Sequence, residues 1–214
     1  MKLRVTAFLM AAFITTSVFS QETAKQVYSS PKLKSEIAMH KTVAILPFAT
    51  SITYKRPPKN YDATAHAAEE KNLTTDLQNA MFTFLLRKND KYSVSFQDVT
   101  RTNALLKKAG VYDDIDALTQ DSIAKILGVD AVIKCKYSYE KTASEGGAIA
   151  KTVLFGGLGS KTGGGTLVMQ IYNGNDGELL WRFSKEMNDG VFSSSNELVE
   201  RMMRKVSRNF PYEK

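Results

Sequence analysis

The sequence predicts a mixed α/β fold, in which helices pack on one mixed sheet. The strongest observation is residues 42–49 (TVAILPFA), whose consecutive apolar residues are typical of a central strand covered on both faces. Amphipathic helical segments separate this strand from the next ones. Two alternating strands then flank residues 173–177 (NGNDG), a turn that favours a hairpin. Together these patterns indicate one α/β domain.

The predicted elements follow in the order β-α-β-α-α-β-β-β-α. Pro47 cannot donate to a ladder, so the first strand ends there or bulges, and residues 51–63 form a loop. The later elements are helix 64–88, strand 91–97, helix 100–109, helix 116–127, strand 130–140, strands 166–172 and 178–185, and helix 195–209. Gly110 and Gly128 follow helices and mark their ends. In strand 178–185 we expect Leu179, Trp181 and Phe183 to point inward.

The first 20 residues have the order of a secretory signal segment. Lys2 and Arg4 precede the apolar residues 7–14 (AFLMAAFI), and the small Ser20 ends a more polar stretch, so we expect cleavage after Ser20. A membrane anchor is the alternative, but a membrane helix needs about 20 apolar residues. No Cys follows the apolar stretch, so lipoprotein processing is not expected. We therefore predict a periplasmic protein, with outer-membrane association or secretion as alternatives.

The mature chain then divides into a polar leader arm, residues 21–41, and a single domain, residues 42–214. Removal of Lys2 and Arg4 with the signal segment lowers the net charge from +7 to +5. The mature chain is therefore mildly basic. No basic run is interleaved with stacking aromatic residues, so we expect no nucleic-acid partner.

The sequence contains no recognisable catalytic, cofactor-binding or metal-binding set. It has one Cys and two His, and no Gly-x-Ser-x-Gly motif. His40 and His66 are expected on the surface, and Cys135 is expected as a small buried hydrophobe with an inert thiol.

Two groups of acidic residues have simple structural explanations. Asp113, Asp114 and Asp116 precede a helix, where capping and the helix dipole explain them. Glu69 and Glu70 are expected on a solvent-facing side of the long helix.

Residues 142–165 hold eight of the thirteen glycines around a small apolar island, residues 152–155. Residues 156–162 superficially resemble a P-loop, but Ser160 stands where that motif requires Gly, and a strand rather than a helix follows. The island either packs back on the core or contacts a partner. A membrane hairpin is a further alternative, although residues 148–155 alternate only weakly.

Two segments are therefore candidate contact loops for a protein partner. The candidate residues are Tyr54, Arg56 and Tyr61 in loop 51–63, and Val153, Leu154, Phe155 and Leu158 in segment 142–165.

Three short motifs resemble the family of curli-secretion-channel (CsgG) proteins, the TolB N-terminal domain and LpoB-like lipoproteins. Residues 41–48 (KTVAILPF) resemble its opening strand, residues 123–133 (IAKILGVDAVI) its helix-to-strand junction, and residues 177–181 (GELLW) its hairpin. The ending at 204–212 (RKVSRNFPY) is similar to that of uncharacterised exported Bacteroidetes proteins. The resemblance implies an envelope α/β domain that docks protein partners or neighbouring subunits and carries no catalytic residues.

The chain departs from the family in three places. It has no lipidation Cys, Cys135 replaces a small residue, and only one Gly-rich insertion is visible where the channel has two membrane hairpins per subunit. We therefore predict a non-enzymatic exported protein that binds partners, with self-association included, in envelope assembly or maintenance. The alternatives are a subunit of an oligomeric outer-membrane secretion channel and a hydrolase with an unrecognised site.

Overall fold

The computed structural model describes residues 25–141, 163–187 and 194–214. These residues form a mixed α/β fold, as predicted. The strands are β1 (Gln26–Ser29), β2 (Thr42–Ile45), β3 (Ala49–Tyr54), β4 (Ser95–Phe96), β5 (Ala131–Lys141), β6 (Gly163–Asn173) and β7 (Leu179–Met187). The helices are α1 (Leu33–Met39), α2 (Ala63–Arg87), α3 (Val99–Lys108), α4 (Gln120–Leu127) and α5 (Ser195–Val206).

The seven strands form one mixed sheet in the order β1-β7-β6-β5-β2-β4, and β3 also pairs with β5. Strand β5 is central because it runs parallel to β2 and β3 on one side and antiparallel to β6 on the other. Strands β6 and β7 form the predicted hairpin, and β1 adds antiparallel to β7. The parallel and antiparallel halves of the sheet therefore meet at β5.

Helices cover the sheet on both faces. The larger core joins α2 and α5 to one face, where Trp181, Tyr137 and Phe183 are the largest fully buried side chains from the strands. The smaller core joins α3 and α4 to the other face over β2 and β5, around Leu106 and Val132. The predicted last helix is confirmed as α5, and its apolar stripe is buried: Leu198, Val199, Met202, Met203 and Val206.

The prediction of a central first strand is confirmed, and Pro47 marks a change of pairing. Val43, Ala44 and Ile45 are fully buried. The β2–β5 ladder ends at Ile45, and β3 resumes pairing with β5 at Ala49. The segment from Leu46 to Phe48 bridges the two ladders, which agrees with a proline that has no N–H to contribute.

Two strands and one helix lie where the sequence predicted irregular structure. The expected leader arm contains β1 and α1, and β1 belongs to the sheet. The expected loop 51–63 is shorter, because β3 extends to Tyr54 and α2 begins at Ala63. Polar residues in both segments concealed their strand character, and pairing with β7 and β5 overrides that weak local preference.

Further details differ from the prediction, including the strand expected at 91–97, of which only Ser95–Phe96 forms β4. The helix expected at 116–127 begins at Gln120 after a short 3-10 turn, so Asp113, Asp114 and Asp116 do not cap it. A register shift near Ile171 leaves Leu179 half-buried, while its neighbour Leu180 is buried. Gly128 ends α4 in the left-handed region at φ 64°, as predicted.

His40 lies inside the protein, which corrects the prediction that it is a surface residue. The residue is 7% exposed, and Nδ1 lies 2.8 Å from the Tyr212 hydroxyl. Nε2 lies 3.4 Å from Asn173 Oδ1, and Asn173 donates in turn to Glu36 on α1. Burial lowers the pKa of His40. This polar cluster joins α1, the end of β6 and the C-terminal segment.

Candidate partner-binding site

Three aromatic rings meet where β3 ends and α2 begins. The centroids of Tyr54 and Tyr61 are 5.9 Å apart at 80°, and each tyrosine centroid lies 5.5 Å from that of His66. Tyr61 is 48% exposed, whereas Tyr54 and His66 are half-buried. We call these three residues the aromatic cluster. It places the exposed ring of Tyr61 beside two half-buried rings at the surface.

The start of α2 holds this cluster together. Asp62 caps the helix, because its Oδ1 accepts from the backbone N–H groups of Thr64 and Ala65 at 2.8 and 3.2 Å. The cap fixes the chain direction between Tyr61, just before the helix, and His66 in its first turns. Tyr54 is the last residue of β3, so the chain must turn back between residues 55 and 62 to bring the rings together.

Helix α2 also occupies the backbone edge of β3 that faces away from β5. The N–H of Ile52 donates to Glu70 Oε1 at 2.6 Å, and His66 Nε2 donates to the Ile52 carbonyl at 2.8 Å. The Thr50 hydroxyl donates to the carbonyl of Glu70 at 2.8 Å. These bonds satisfy the middle of the strand's outer edge and fix the ring of His66 within the cluster.

The surroundings of the aromatic cluster are mainly basic. Lys141 Nζ lies 5.3 Å from the ring centre of Tyr54 and donates to Glu69 Oε1 at 2.7 Å. The exposed loop beside the cluster carries Lys55, Arg56 and Lys59. A cation above an aromatic ring is attracted to its face, so Lys141 helps to orient Tyr54, while Glu69 offsets its charge.

Only part of the predicted contact set can be located. The structure brings Tyr54 and Tyr61 together and places Arg56 in the adjoining exposed loop. Val153, Leu154, Phe155 and Leu158 lie outside the described residues. The sequence prediction missed the packing of His66 against the two tyrosines. The available signal was its position five residues after Tyr61, just beyond a capping Asp62.

The residues considered for catalysis have structural contacts in the fold. Cys135 is buried, as predicted, with Sγ 3.9 Å from Met81 Sδ, and burial raises the pKa of its thiol. Glu69 and Glu70 are engaged with Lys141 and Ile52. Within residues 25–141, 163–187 and 194–214, no three His, Cys, Asp or Glu side chains form a group that could hold a metal ion.

The same described ranges contain no helix that is both long enough and apolar enough to pass through a bilayer.

Comparison with known proteins gives structural neighbours but no sequence relatives. No family model matches the chain, and no curated protein matches it. The chain is similar to the lipoprotein GNA1162 from Neisseria meningitidis at 13% identity and a TM-score of 0.44, covering 79% of this chain and 99% of that one. The likeness to the PelC dodecamer from Paraburkholderia phytofirmans has 10% identity and a TM-score of 0.40, with 89% and 99% covered.

The LpoB C-terminal domain from Escherichia coli is similar at 14% identity and a TM-score of 0.34, with 73% of this chain and 93% of that one covered. An LpoB domain is thus among the neighbours, while the likeness to CsgG, to TolB and to Bacteroidetes proteins stays a prediction. Because all these identities and TM-scores are low, we infer function from the residues of this chain.

Proposed function

We propose that this protein is an exported component of the cell envelope that acts by binding a protein partner, without catalysing a reaction. The observation that carries the proposal is the aromatic cluster of Tyr54, Tyr61 and His66, which lies where β3 ends and exposes the ring of Tyr61. The signal-like residues 1–20 support export.

The aromatic cluster has the physical properties of an interface anchor. Tyrosine is enriched at the centres of protein interfaces because it buries a large area and has only two rotatable side-chain torsions. The contacts with His66 and Lys141 restrict those torsions further, so little side-chain entropy remains to be lost on binding. The cluster is therefore suited to insert into an apolar recess of a partner.

The basic residues around the cluster indicate the partner's charge. Lys55, Arg56 and Lys59 are exposed beside the rings, and Lys141 lies behind them. Charges at the rim of an interface mainly select the partner and accelerate association. We therefore propose a partner whose apolar recess is bordered by Asp and Glu side chains.

Site-specific photo-crosslinking in intact cells tests this proposal. A photoreactive phenylalanine analogue at position 61 should give one discrete crosslinked product. The matched control is position 86, where Leu86 is 58% exposed near the other end of α2 and should give none. Failure to find a discrete product at position 61, or the same product at both positions, would contradict the proposal.

Substitution separates binding from folding. Tyr61→Ala should weaken binding of the captured partner about tenfold or more, since a central tyrosine often carries over 1 kcal/mol of binding energy. Its thermal unfolding should change little because the ring is largely exposed. A product containing only this chain would instead favour the channel-subunit alternative, and partner-independent turnover would favour the hydrolase.

Export has its own test. The N-terminus of the protein isolated from cells should begin at Gln21 if Ser20 ends the signal segment. Retention of Met1 on material in the cytoplasm would contradict an envelope role.

A further inference from the structure

A cleft of about 370 Å³ lies between α2 and the connection from α3 to α4. Its floor is formed by the segment that joins β2 to β3, including Pro47 and Phe48. This is the carboxyl end of β2, which runs parallel to β5 and β4. Ligands of open α/β sheets commonly bind outside the carboxyl ends of parallel strands, and the volume lies within the usual range for small-molecule sites.

The cleft exists because the two ladders along β5 are interrupted. Strand β2 pairs as far as Ile45, and β3 begins pairing only at Ala49. Leu46 still donates its N–H to the Ile133 carbonyl at 2.9 Å, but Pro47 has no N–H, so the ladder does not continue through it. The gap leaves a concave wall that is part apolar and part polar.

The charged groups around the cleft are not all paired. Lys134 Nζ donates to Asp116 Oδ1 at 2.5 Å, so these two charges offset each other. Glu70 already accepts the Ile52 N–H. Lys71 and Asp113 also line the cleft, are exposed, and have no ion-pair partner among the described residues. Lys71 and Asp113 therefore offer a ligand one cation and one anion, and Glu70 adds a second carboxylate whose charge the Ile52 N–H does not neutralise.

Gln120 provides an independent observation. It lines the cleft, and its Oε1 atom is shielded from solvent without a hydrogen-bond partner among the described residues. A buried acceptor without a donor is unfavourable, and native proteins usually satisfy such atoms. A ligand's N–H donor would satisfy this oxygen only after the Gln120 amide rotates toward the cleft.

We propose that the cleft binds a small zwitterion with an apolar side chain, such as a free amino acid or a dipeptide. The ligand's ammonium group donates to the Asp113 carboxylate, and its carboxylate pairs with Lys71. The apolar side chain packs against the half-buried Tyr112 and Ile115. This inference is independent of the partner proposal, because it uses none of the three residues of the aromatic cluster.

Titration of the purified mature chain with defined probes tests the inference. Leucyl-leucine should bind with a dissociation constant below 1 mM, corresponding to about −4.1 kcal/mol, and shift the backbone amide resonances of residues lining the cleft. N-acetyl-leucyl-leucine lacks the ammonium group, and leucyl-leucinamide lacks the carboxylate, so each should bind at least about tenfold more weakly. Equal binding by all three, or no binding by any of them, would overturn the inference.

A neighbouring pair of residues supplies the matched variants. Asp113→Asn removes an acceptor charge in the cleft and should weaken leucyl-leucine binding about tenfold. Asp114→Asn removes the same charge one residue away, outside the cleft lining, and should leave the affinity unchanged. If the two variants bind equally well, the assignment of Asp113 is wrong. Crosslinking at position 61 would remain interpretable in either case.

Discussion

Strands β3 and β1 each have one side that no other described strand pairs with, and the protein treats these two edges differently. On β3, Glu70 and His66 from α2 bond to the N–H and the carbonyl of Ile52. On β1, all four residues are exposed, with Val27 and Tyr28 at 41% and 48%. Unpaired edges invite strand addition. The difference shows that side chains block strand addition at the longer edge, on β3. At the edge of β1, the short length of the strand is the main limit on strand addition.

The two edges also differ in how they are anchored. Strand β3 is held directly by α2, which lies against it. Strand β1 is anchored by the residues that follow it, because the side chains of Ser30 and Lys32 donate to Glu178 at 3.0 and 2.6 Å. The His40 cluster then fixes α1 through Asn173 and Glu36. Disturbing α2 should therefore expose β3, and disturbing His40 should loosen β1.

The largest expected effect is that of His40→Leu. The change leaves the Tyr212 hydroxyl and Asn173 Oδ1 without this partner in a buried site, at a cost of about 3 kcal/mol of unfolding free energy. Urea unfolding measures the loss, and hydrogen exchange should show faster opening of β1. His66→Leu on the β3 side removes one half-buried bond and should cost about 1 kcal/mol. An equal or larger cost at His66 would contradict the contrast between the two sides.

The next effect is that of Glu70→Ala. The carboxylate accepts the Ile52 N–H in a partly buried position, so its loss should cost about 2 kcal/mol and accelerate exchange of the Ile52 amide. Glu70→Gln keeps an acceptor oxygen and should retain most of the protection. Concentration-dependent self-association of Glu70→Ala alone would show that the carboxylate closes the edge. Unchanged exchange at Ile52 would show that it does not.

A smaller effect distinguishes the inner and outer sides of β1. The Ser30 N–H donates to the Leu180 carbonyl, and antiparallel residues alternate, so the Tyr28 N–H faces β7 and the Val27 N–H faces solvent. Tyr28→Pro should therefore be about 1 kcal/mol less stable than Val27→Pro in thermal or urea unfolding. The reverse ranking would mean that β1 pairs in a different register.

The smallest effect is the response to mild acid. Burial lowers the pKa of His40, while Asn173, Asp130 and Glu36 act in the opposite direction and limit the change. The unfolded chain then takes up a proton more readily than the folded one. The contribution of His40 to the unfolding free energy is fully present above pH 6.5, the ordinary pKa of histidine, and it decreases as the pH falls below that value. Unfolding free energies at descending pH should show this loss, and His40→Leu should lack it.

The fold was largely predictable because its strongest signals are local. The apolar run at Val43–Ile45, the turn before Gly177 and the stripe on α5 each depend on a few neighbouring residues. Strands β1 and β3 were not predicted because Gln26–Ser29 and Ala49–Tyr54 are half polar, and distant partners decide their pairing.

The site was predictable only in part. Loop composition identified Tyr54 and Tyr61, but their approach to His66 depends on the Asp62 cap and on the bond from His66 to Ile52. The cleft had no sequence signal, because it arises from the gap between two ladders. The unpaired Gln120 oxygen follows from tertiary packing, which residue types alone do not determine.

The central place of β5 has a consequence for biosynthesis. During synthesis, which proceeds from the N-terminus, strand β2 leaves the ribosome long before the start of β5, with which it pairs. Until those later residues are synthesised, the apolar early segment lacks its native pairing partner and is prone to aggregate with other incompletely synthesised chains. A holding chaperone that recognises extended apolar stretches would bridge this interval, whichever compartment the molecule matures in.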